Sequence, residues 1–425
     1  MNIGTDTNKK PRFLYNKGNY SAMREELAQV GWKENFAKCT AVQEKWNVFA
    51  DKMREVTEKH IPKSSVNKMN TKVKPKSQLD KKALAKVKKK YKLWKRYLNT
   101  RNGEIYQEYC RVRNQVRRIT RRSLHNKERD IAKEAKSNPK KFWKYVQEKL
   151  TVKNGIPDLN IPGTETQEDG PQQTKSDKQK AEVLNNFFAS VFTEEGDMNV
   201  EMDDKMVNHT LKKLEITQSM VINKLKELKT CKSPGPDYIH PRILKETHLE
   251  IAEPICDIFN DTLKYGHIPK EWKKSNITAI FKKGNKAEPG NYRPVSLTCI
   301  LCKILESIIR DHLMEYMYSN EFFSTQQYGF PPGRSTVLQL LRVLDDWTNA
   351  LDDEDCIDVI YCDFQKAFDT VPHKRLLYKL KKYGVTGPIH EWIQTFLTRR
   401  KQRVVINGIP SDEADVKSGI PKAVY

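Results

Sequence analysis

The 425-residue sequence has no unbroken apolar run of the ~18 residues that a membrane-spanning helix needs, and its mean hydropathy is −0.76. The opening stretch MNIGTDTNKKPRFLYNKGNY lacks the apolar segment of a secretory signal. Neither a membrane partner nor secretion is expected, and the expected setting is intracellular, in the nucleus or cytoplasm. The eight cysteines (39, 110, 231, 256, 299, 302, 356 and 362) are scattered, so a disulfide framework is not expected. The single Cys299-x-x-Cys302 pair has no second pair near it and no His cluster. Zinc wants about four ligands, so the two cysteines read as core residues. No internal repeat is visible. Apolar residues make up 37%, low for a globular chain but enough for a core.

Acidic residues are scarce in one place only. Residues 61–150 hold 29 Lys and Arg against 7 Asp and Glu, a net of +22 within a total of +23. Residues 1–60 net +3 and residues 151–425 net −2. A uniformly basic protein is thereby excluded. The pattern is a near-neutral body carrying one basic module, suited to gripping nucleic-acid phosphates in a salt-sensitive way.

Periodicity divides the chain further. Residues 1–60 read as helical, with Trp32, Phe36, Val42, Trp46, Phe49 and Met53 broadly on one face. Residues 63–78 read as a polar linker. In the basic module Leu84, Val87, Tyr91, Trp94 and Leu98 fall at heptad-like spacing, as do Ile105, Tyr109, Val112, Val116 and Ile119. With Asn102-Gly103 between them they predict an antiparallel helical hairpin. A third helix is predicted from Pro139, capped by Ser137 or Asn138. Residues 151–178, rich in Gly, Pro, Thr, Gln and Asp, read as a flexible linker. Beyond it helices are predicted at 181–192, 216–228, 240–269, 297–317, 373–384 and 387–400, with strands at 276–283 and 356–364 and a strand pair at 402–419. The fold class expected is mixed α+β, with domains at 1–60, 61–150, 151–178 and 179–425, the last having its core at about 270–425.

The predicted strand 356–364 ends on Asp363 and runs into a turn and a helix. Such a carboxylate can ligate a metal, although an Asp at a strand end more often serves a cap or turn. The stretch VIYCDFQKAFDTVPHKRLLYKLKKYGV resembles the first palm motif of reverse transcriptases from non-LTR retrotransposons of the jockey and chicken-repeat type. KSPGPDYIHPRILKE (232–246), ITAIFKKGNKAEPGNYRPVSLTCILCKILESII (277–309) and QQYGFPPGRSTVLQLL (326–341) resemble that family's other segments, in its order. Residues 1–150 resemble, more weakly, its endonuclease–polymerase connector.

The resemblance implies an RNA-directed DNA polymerase with partial right-hand fingers and palm. Its partners would be an RNA template, a DNA primer or target, and dNTP. Its cofactor would be Mg²⁺, two ions clamping the attacking and leaving oxygens. It implies Asp363 as catalytic and metal-binding, with the Phe364 carbonyl beside it as ligand. Phe368 is implied as the ring that excludes a 2′-OH; on the residues alone it reads as core. Lys282, Lys283 and Arg293 are implied as triphosphate contacts, Arg293 otherwise being a surface arginine before a proline. Gly329, Gly333, Arg334 and Ser335 match the template-contacting turn, where Phe330-Pro331-Pro332 departs from the family's pattern.

At 416–425, Ser418-Gly419-Ile420-Pro421 fits the second palm motif, while Lys422 and Ala423 stand where the family has Gln and Gly. The family's aromatic-x-Asp-Asp hairpin is not found. Asp203-Asp204, Asp345-Asp346 and Asp352-Asp353 lie upstream and read as solvated surface. The resemblance thus implies a polymerase truncated within the palm and inactive alone. The alternative is a non-catalytic nucleic-acid-binding remnant.

Overall fold

A computed structural model describes residues 12–64, 81–149, 155–164, 171–196 and 209–420. Most of the predicted linker at 63–78, the Asp203-Asp204 pair, and Pro421, Lys422 and Ala423 lie outside the described residues. In chain order the elements are α1 (Tyr20–Ala28), α2 (Trp32–Ala37), α3 (Val42–His60), α4 (Lys81–Thr100), α5 (Gly103–Glu134), α6 (Pro139–Lys149), α7 (Asp177–Ser190), α8 (Gln218–Lys226), α9 (Pro241–Glu246), α10 (His248–Tyr265), β1 (Lys274–Phe281), β2 (Tyr292–Leu297), α11 (Ile300–Ser319), α12 (Thr336–Asp352), α13 (His373–Lys382), α14 (Gly387–Leu397), β3 (Arg400–Ile406), β4 (Ile409–Pro410) and β5 (Ala414–Val416). The class is α+β, as expected. Lys63–Gly155, with the residues up to Phe13, form one compact unit. Leu14–Pro62 and the chain from Ile156 form the other.

The basic unit is the predicted hairpin. The Asn102 side chain accepts from the N–H groups of Glu104 and Ile105, which caps α5 and sets the turn. Asn138 caps α6 in the same way, accepting from Lys141 N–H at 3.3 Å. On α5 the predicted seam faces inward, and Val112 and Ile131 are buried. On α4 the inward face differs from the prediction. Ala83 and Leu93 are the buried residues, while Tyr91, Trp94 and Leu98 are 59%, 37% and 44% exposed. The heptad stripe of α4 therefore meets α5 along one edge only: Leu84 and Val87 are half-buried and Trp94 lies 4.9 Å from Tyr109, while its outer residues face water.

The larger unit joins a helical layer to a small sheet. Trp46 of α3 meets Trp272 edge-on at 5.3 Å, and Trp272 meets Phe259 of α10 at 5.9 Å. All three side chains are fully enclosed. Lys45 and Asp261 form an ion pair between the same two helices. Cys299 and Cys302, at the start of α11, are buried, as the lone pair suggested. The Cys299 thiol donates to Asp237 Oδ2 at 2.7 Å, and Ile239 N–H also donates to that side chain, at 3.4 Å. Burial pushes the Asp237 carboxyl up to about 6.

The sheet has the order β2-β1-β3-β4, with β5 also on β3. β1 is antiparallel to β2 and parallel to β3. β2 was not predicted, because Pro294 breaks its pattern; it lies at the sheet's edge, where a residue without an N–H is tolerated. One face packs on α7 through Leu184, Phe188, Ile277, Tyr292, Val404 and Ile406. Part of the stretch read as a flexible linker joins that core. Leu159 is buried in it, donating through its N–H to Thr174 Oγ1 at 2.8 Å and accepting from Thr174 N–H at 2.9 Å.

The predicted buried strand at 356–364 is corrected. The segment makes no ladder among the described residues, and Ile360 and Tyr361 are 87% and 85% exposed. β-branched residues favour extended backbone, but a strand exists only where a neighbour takes up its N–H and C=O groups. α12, just before it, buries none of its residues.

Candidate functional site

The site is built around a backbone junction. After the exposed segment the chain turns at 365–369, where Lys366 takes a left-handed φ of 51° and its carbonyl accepts from Asp369 N–H at 2.8 Å. α13 starts directly after Pro372. Its first free N–H groups, on Lys374 and Arg375, both donate to the Glu195 carboxylate at 3.0 Å, so a side chain from a remote loop caps the helix.

Residues 418–420, which follow β5, return to this turn. Gly419 N–H donates to Val371 O at 2.8 Å and Ile420 N–H to Phe368 O at 2.9 Å. Ser418 Oγ donates to Asp369 O at 2.7 Å and accepts from Thr193 N–H at 2.8 Å. The His373 ring donates from Nε2 to Gly419 O at 2.7 Å. Gly419 has φ 82°, and a Cβ there would sit 2.6 Å from Phe368 O and 2.7 Å from Asp369 O, so only glycine fits without displacing backbone.

The predicted residues fall around this junction unevenly. Asp363 and Phe364 lie in the exposed segment, Phe364 being 84% exposed. Phe368 meets Phe330 edge-on at 6.2 Å, which brings the 326–335 turn beside the junction. Phe330 itself has φ 76° and is 87% exposed. Gly333 has φ 75° and open space where a Cβ would sit, and a Cβ on Gly329 would meet Gln327 Nε2 at 4.0 Å. Arg334 and Ser335 carry local duties. The Arg334 guanidinium donates to the carbonyls of Thr325 and Gln327 and lies over Tyr328 at 5.2 Å. Ser335 caps α12, accepting from Leu338 N–H at 3.2 Å.

The triphosphate candidates lie on the sheet face opposite the core. Arg293 pairs with Ile280 in the β1–β2 ladder, so both side chains share that face. Lys282 continues it one step beyond β1, and Lys283 follows; all three cations are exposed. The structure adds three cations to this face. Lys274 pairs in register with Lys401, and Asn276 with Arg403. Arg403 Nε donates to Asn276 Oδ1 at 2.8 Å, and Glu413 partly neutralises Lys274 and Lys401 at 2.7 and 3.7 Å. The alternation in RKQRVVI foreshadows this face, but only the strand register joins it to Arg293.

This arrangement offers a cationic sheet face for a polyphosphate and, by way of Lys366 over Phe187, a docked turn held near α7. Metal fit is another matter. Asp363 and the Phe364 carbonyl offer at most three oxygens where Mg²⁺ takes about six, and no group of three or more acidic, His or Cys side chains is placed to hold an ion among the described residues. The described residues do not by themselves make a two-ion site. No helix is long and apolar enough to cross a membrane among the described residues.

Comparison with known proteins gives likenesses over part of the chain. Residues 280–421 match the model of the reverse transcriptase (RNA-dependent DNA polymerase) family. The chain is 28% identical over 265 residues to a probable RNA-directed DNA polymerase from transposon BS of Drosophila melanogaster, covering 62% of this chain and 29% of that protein. It is 30% identical over 208 residues to the RNA-directed DNA polymerase from mobile element jockey of the same organism, covering 49% of this chain and 23% of the relative. A relative from the X-element is 30% identical over 192 residues, covering 45% and 21%. The chain spans less than a third of the length of these relatives.

Proposed function

From the premise that residues 280–421 carry a reverse transcriptase domain of the non-LTR retrotransposon kind, we propose that this chain supplies the nucleotide- and template-holding side of a polymerase that copies RNA into DNA. The junction of 418–420 with 366–373, with Phe330 against Phe368, carries the reading. It gathers three separate motifs at one place, beside which a primer end and an incoming dNTP would meet.

In this reading Arg293, Lys282 and Lys283 grip the triphosphate, with Lys401 and Arg403 extending the field of the same face. Phe368 lies under the sugar and bars a 2′-OH. Gly329 and Gly333 let the template backbone approach, and Arg334 and Ser335 hold that turn in shape. Asp363 supplies one carboxylate at the 3′ end. Bound Mg²⁺ would supply activation of the 3′ oxygen and neutralisation of pyrophosphate. The ions need carboxylates beyond those the described residues bring to Asp363. That single carboxylate favours a second reading, in which the chain holds nucleic acid without extending a primer.

The test measures dTTP binding by the purified chain in the presence of a primed RNA template. Combined Arg293→Ala and Lys282→Ala should weaken it by about tenfold or more; unchanged binding would remove the triphosphate assignment. Primer extension in Mg²⁺ should be undetectable. Extension abolished by Asp363→Asn would show that the residues present suffice for catalysis.

A further inference from the structure

α4 carries nine Lys and Arg in twenty residues and no Asp or Glu. Its heptad stripe, Leu84, Val87, Tyr91, Trp94 and Leu98, spans about 21 Å of helix. α5 covers one edge of the stripe, and its outer part stays in water: Tyr91, Trp94 and Leu98 are 59%, 37% and 44% exposed. Rings continue across the hairpin. Trp94 lies 4.9 Å from Tyr109, and Tyr97 lies 4.9 Å from Tyr106, itself 42% exposed. Cations border the rings: Lys90 Nζ is 4.3 Å from the Tyr91 centroid, Arg101 5.7 Å from Tyr97 and Arg113 5.8 Å from Tyr109.

Two properties of this surface select its occupant. A second copy of α4 would set one acid-free basic helix against another, and like charges in that register repel. A polyanion instead answers the charge. Duplex nucleic acid keeps its bases inside the stack and shows phosphates to the protein, leaving exposed rings without a use. A single strand can turn its bases onto them, and base–aromatic stacking tolerates any sequence.

We infer that the Tyr91–Trp94–Leu98 stripe of α4 is a stacking platform for single-stranded RNA, with the lysines around it on the phosphates. This rests on the reading that the chain serves an RNA-copying polymerase, and it assigns the basic module a strand to hold.

The test uses the full chain and a fluorescent single-stranded RNA titrated at several salt concentrations, with duplex RNA and single-stranded DNA of the same sequence alongside. The combined variant Tyr91→Ala and Trp94→Ala should lose about tenfold to a hundredfold in affinity for single-stranded RNA. The slope of log affinity against log salt should stay as in the parent, since no phosphate contact is removed. Duplex binding should not change. Tyr91→Phe with Trp94→Phe should restore affinity, which separates stacking from loss of fold. Lys88→Ala, Lys92→Ala and Lys95→Ala together should reduce the salt slope by about 2 on single strands.

Unchanged affinity of the alanine variant, with a steep salt slope retained, would overturn the platform while leaving a phosphate-gripping module. Absence of any salt-dependent RNA binding by the parent chain would sink the nucleic-acid reading itself. Equal affinity for the DNA strand would overturn the assignment to RNA. A parent dimer that the alanine variant dissociates without RNA would assign the stripe to a second copy instead.

Discussion

Two stretches of the larger unit have similar apolar content and opposite fates. In α10, nine residues are buried, and its neighbours α3, α8 and α14 lie on several sides of it. In α12 none is buried, and Val337, Leu340, Leu341, Leu344 and Leu351 are each more than half exposed. Among the described residues no element covers the apolar face of α12. An amphipathic pattern thus says which face of a helix will pack, while burial depends on what else reaches that face. The same holds for 356–364, extended by composition and unpaired among the described residues.

The contrast can be broken first at Trp272. Trp272→Ala empties a fully enclosed position between Trp46 and Phe259 and should cost about 3–5 kcal/mol in denaturant unfolding. A loss under 1 kcal/mol would mean the helical layer is as loosely held as α12. Gly419→Ala comes next, with an expected cost of roughly 2–3 kcal/mol and faster exchange of the amides at position 419 and Ile420, which donate across the junction, because the added Cβ meets two carbonyls. Normal exchange there would refute the junction.

Two carboxylates of the packed body give opposite pH slopes. Asp237, at about 6 when folded against 3.8 as its ordinary value, favours the folded state most below pH 4. That contribution, on the order of 2 kcal/mol, is lost as pH rises through 6, and Asp237→Asn should flatten the fall. Glu26 is held down to about 2 by Lys59, His60 and Lys52. Its contribution is present above about pH 4.5 and lost as pH falls through 2, and Glu26→Gln should flatten that limb by roughly 1 kcal/mol or less. Asp358→Asn, in the unpacked stretch, should leave both limbs unchanged; a shift in either would place that stretch inside the body. The smallest effect belongs to α12. Leu341→Ser should move stability by no more than about 0.5 kcal/mol. A loss of several kcal/mol would show that its apolar face is covered in solution.

Much of this was legible beforehand where local rules and global packing agree. The hairpin turn at Asn102-Gly103, the cap at Asn138 and the strands at 274–281 and 400–406 follow from spacing and turn chemistry. β2 was hidden because Pro294 argues against a strand except at an edge, and edge position is a property of the whole sheet. The α4 stripe is only partly covered, because apolar spacing names a stripe and the crossing of two helices decides which side of it packs. For the site, motif resemblance pointed to Asp363, Phe368 and Arg293. The docking of Gly419 on Phe368 and the membership of Lys401 and Arg403 in the Arg293 face required strand register and long-range hydrogen bonds.

The interruption of the larger unit by the basic hairpin orders the chain's self-assembly during synthesis. Among the described residues α4 packs chiefly on α5, which follows it at once in the chain. α3 must wait for α10 and Trp272, more than two hundred residues later. At about 5–20 residues per second that interval is on the order of tens of seconds, against microseconds for a helical hairpin to close. The basic module therefore stands folded and charged while Trp46 still lacks Trp272, so the cationic arm precedes the body it serves.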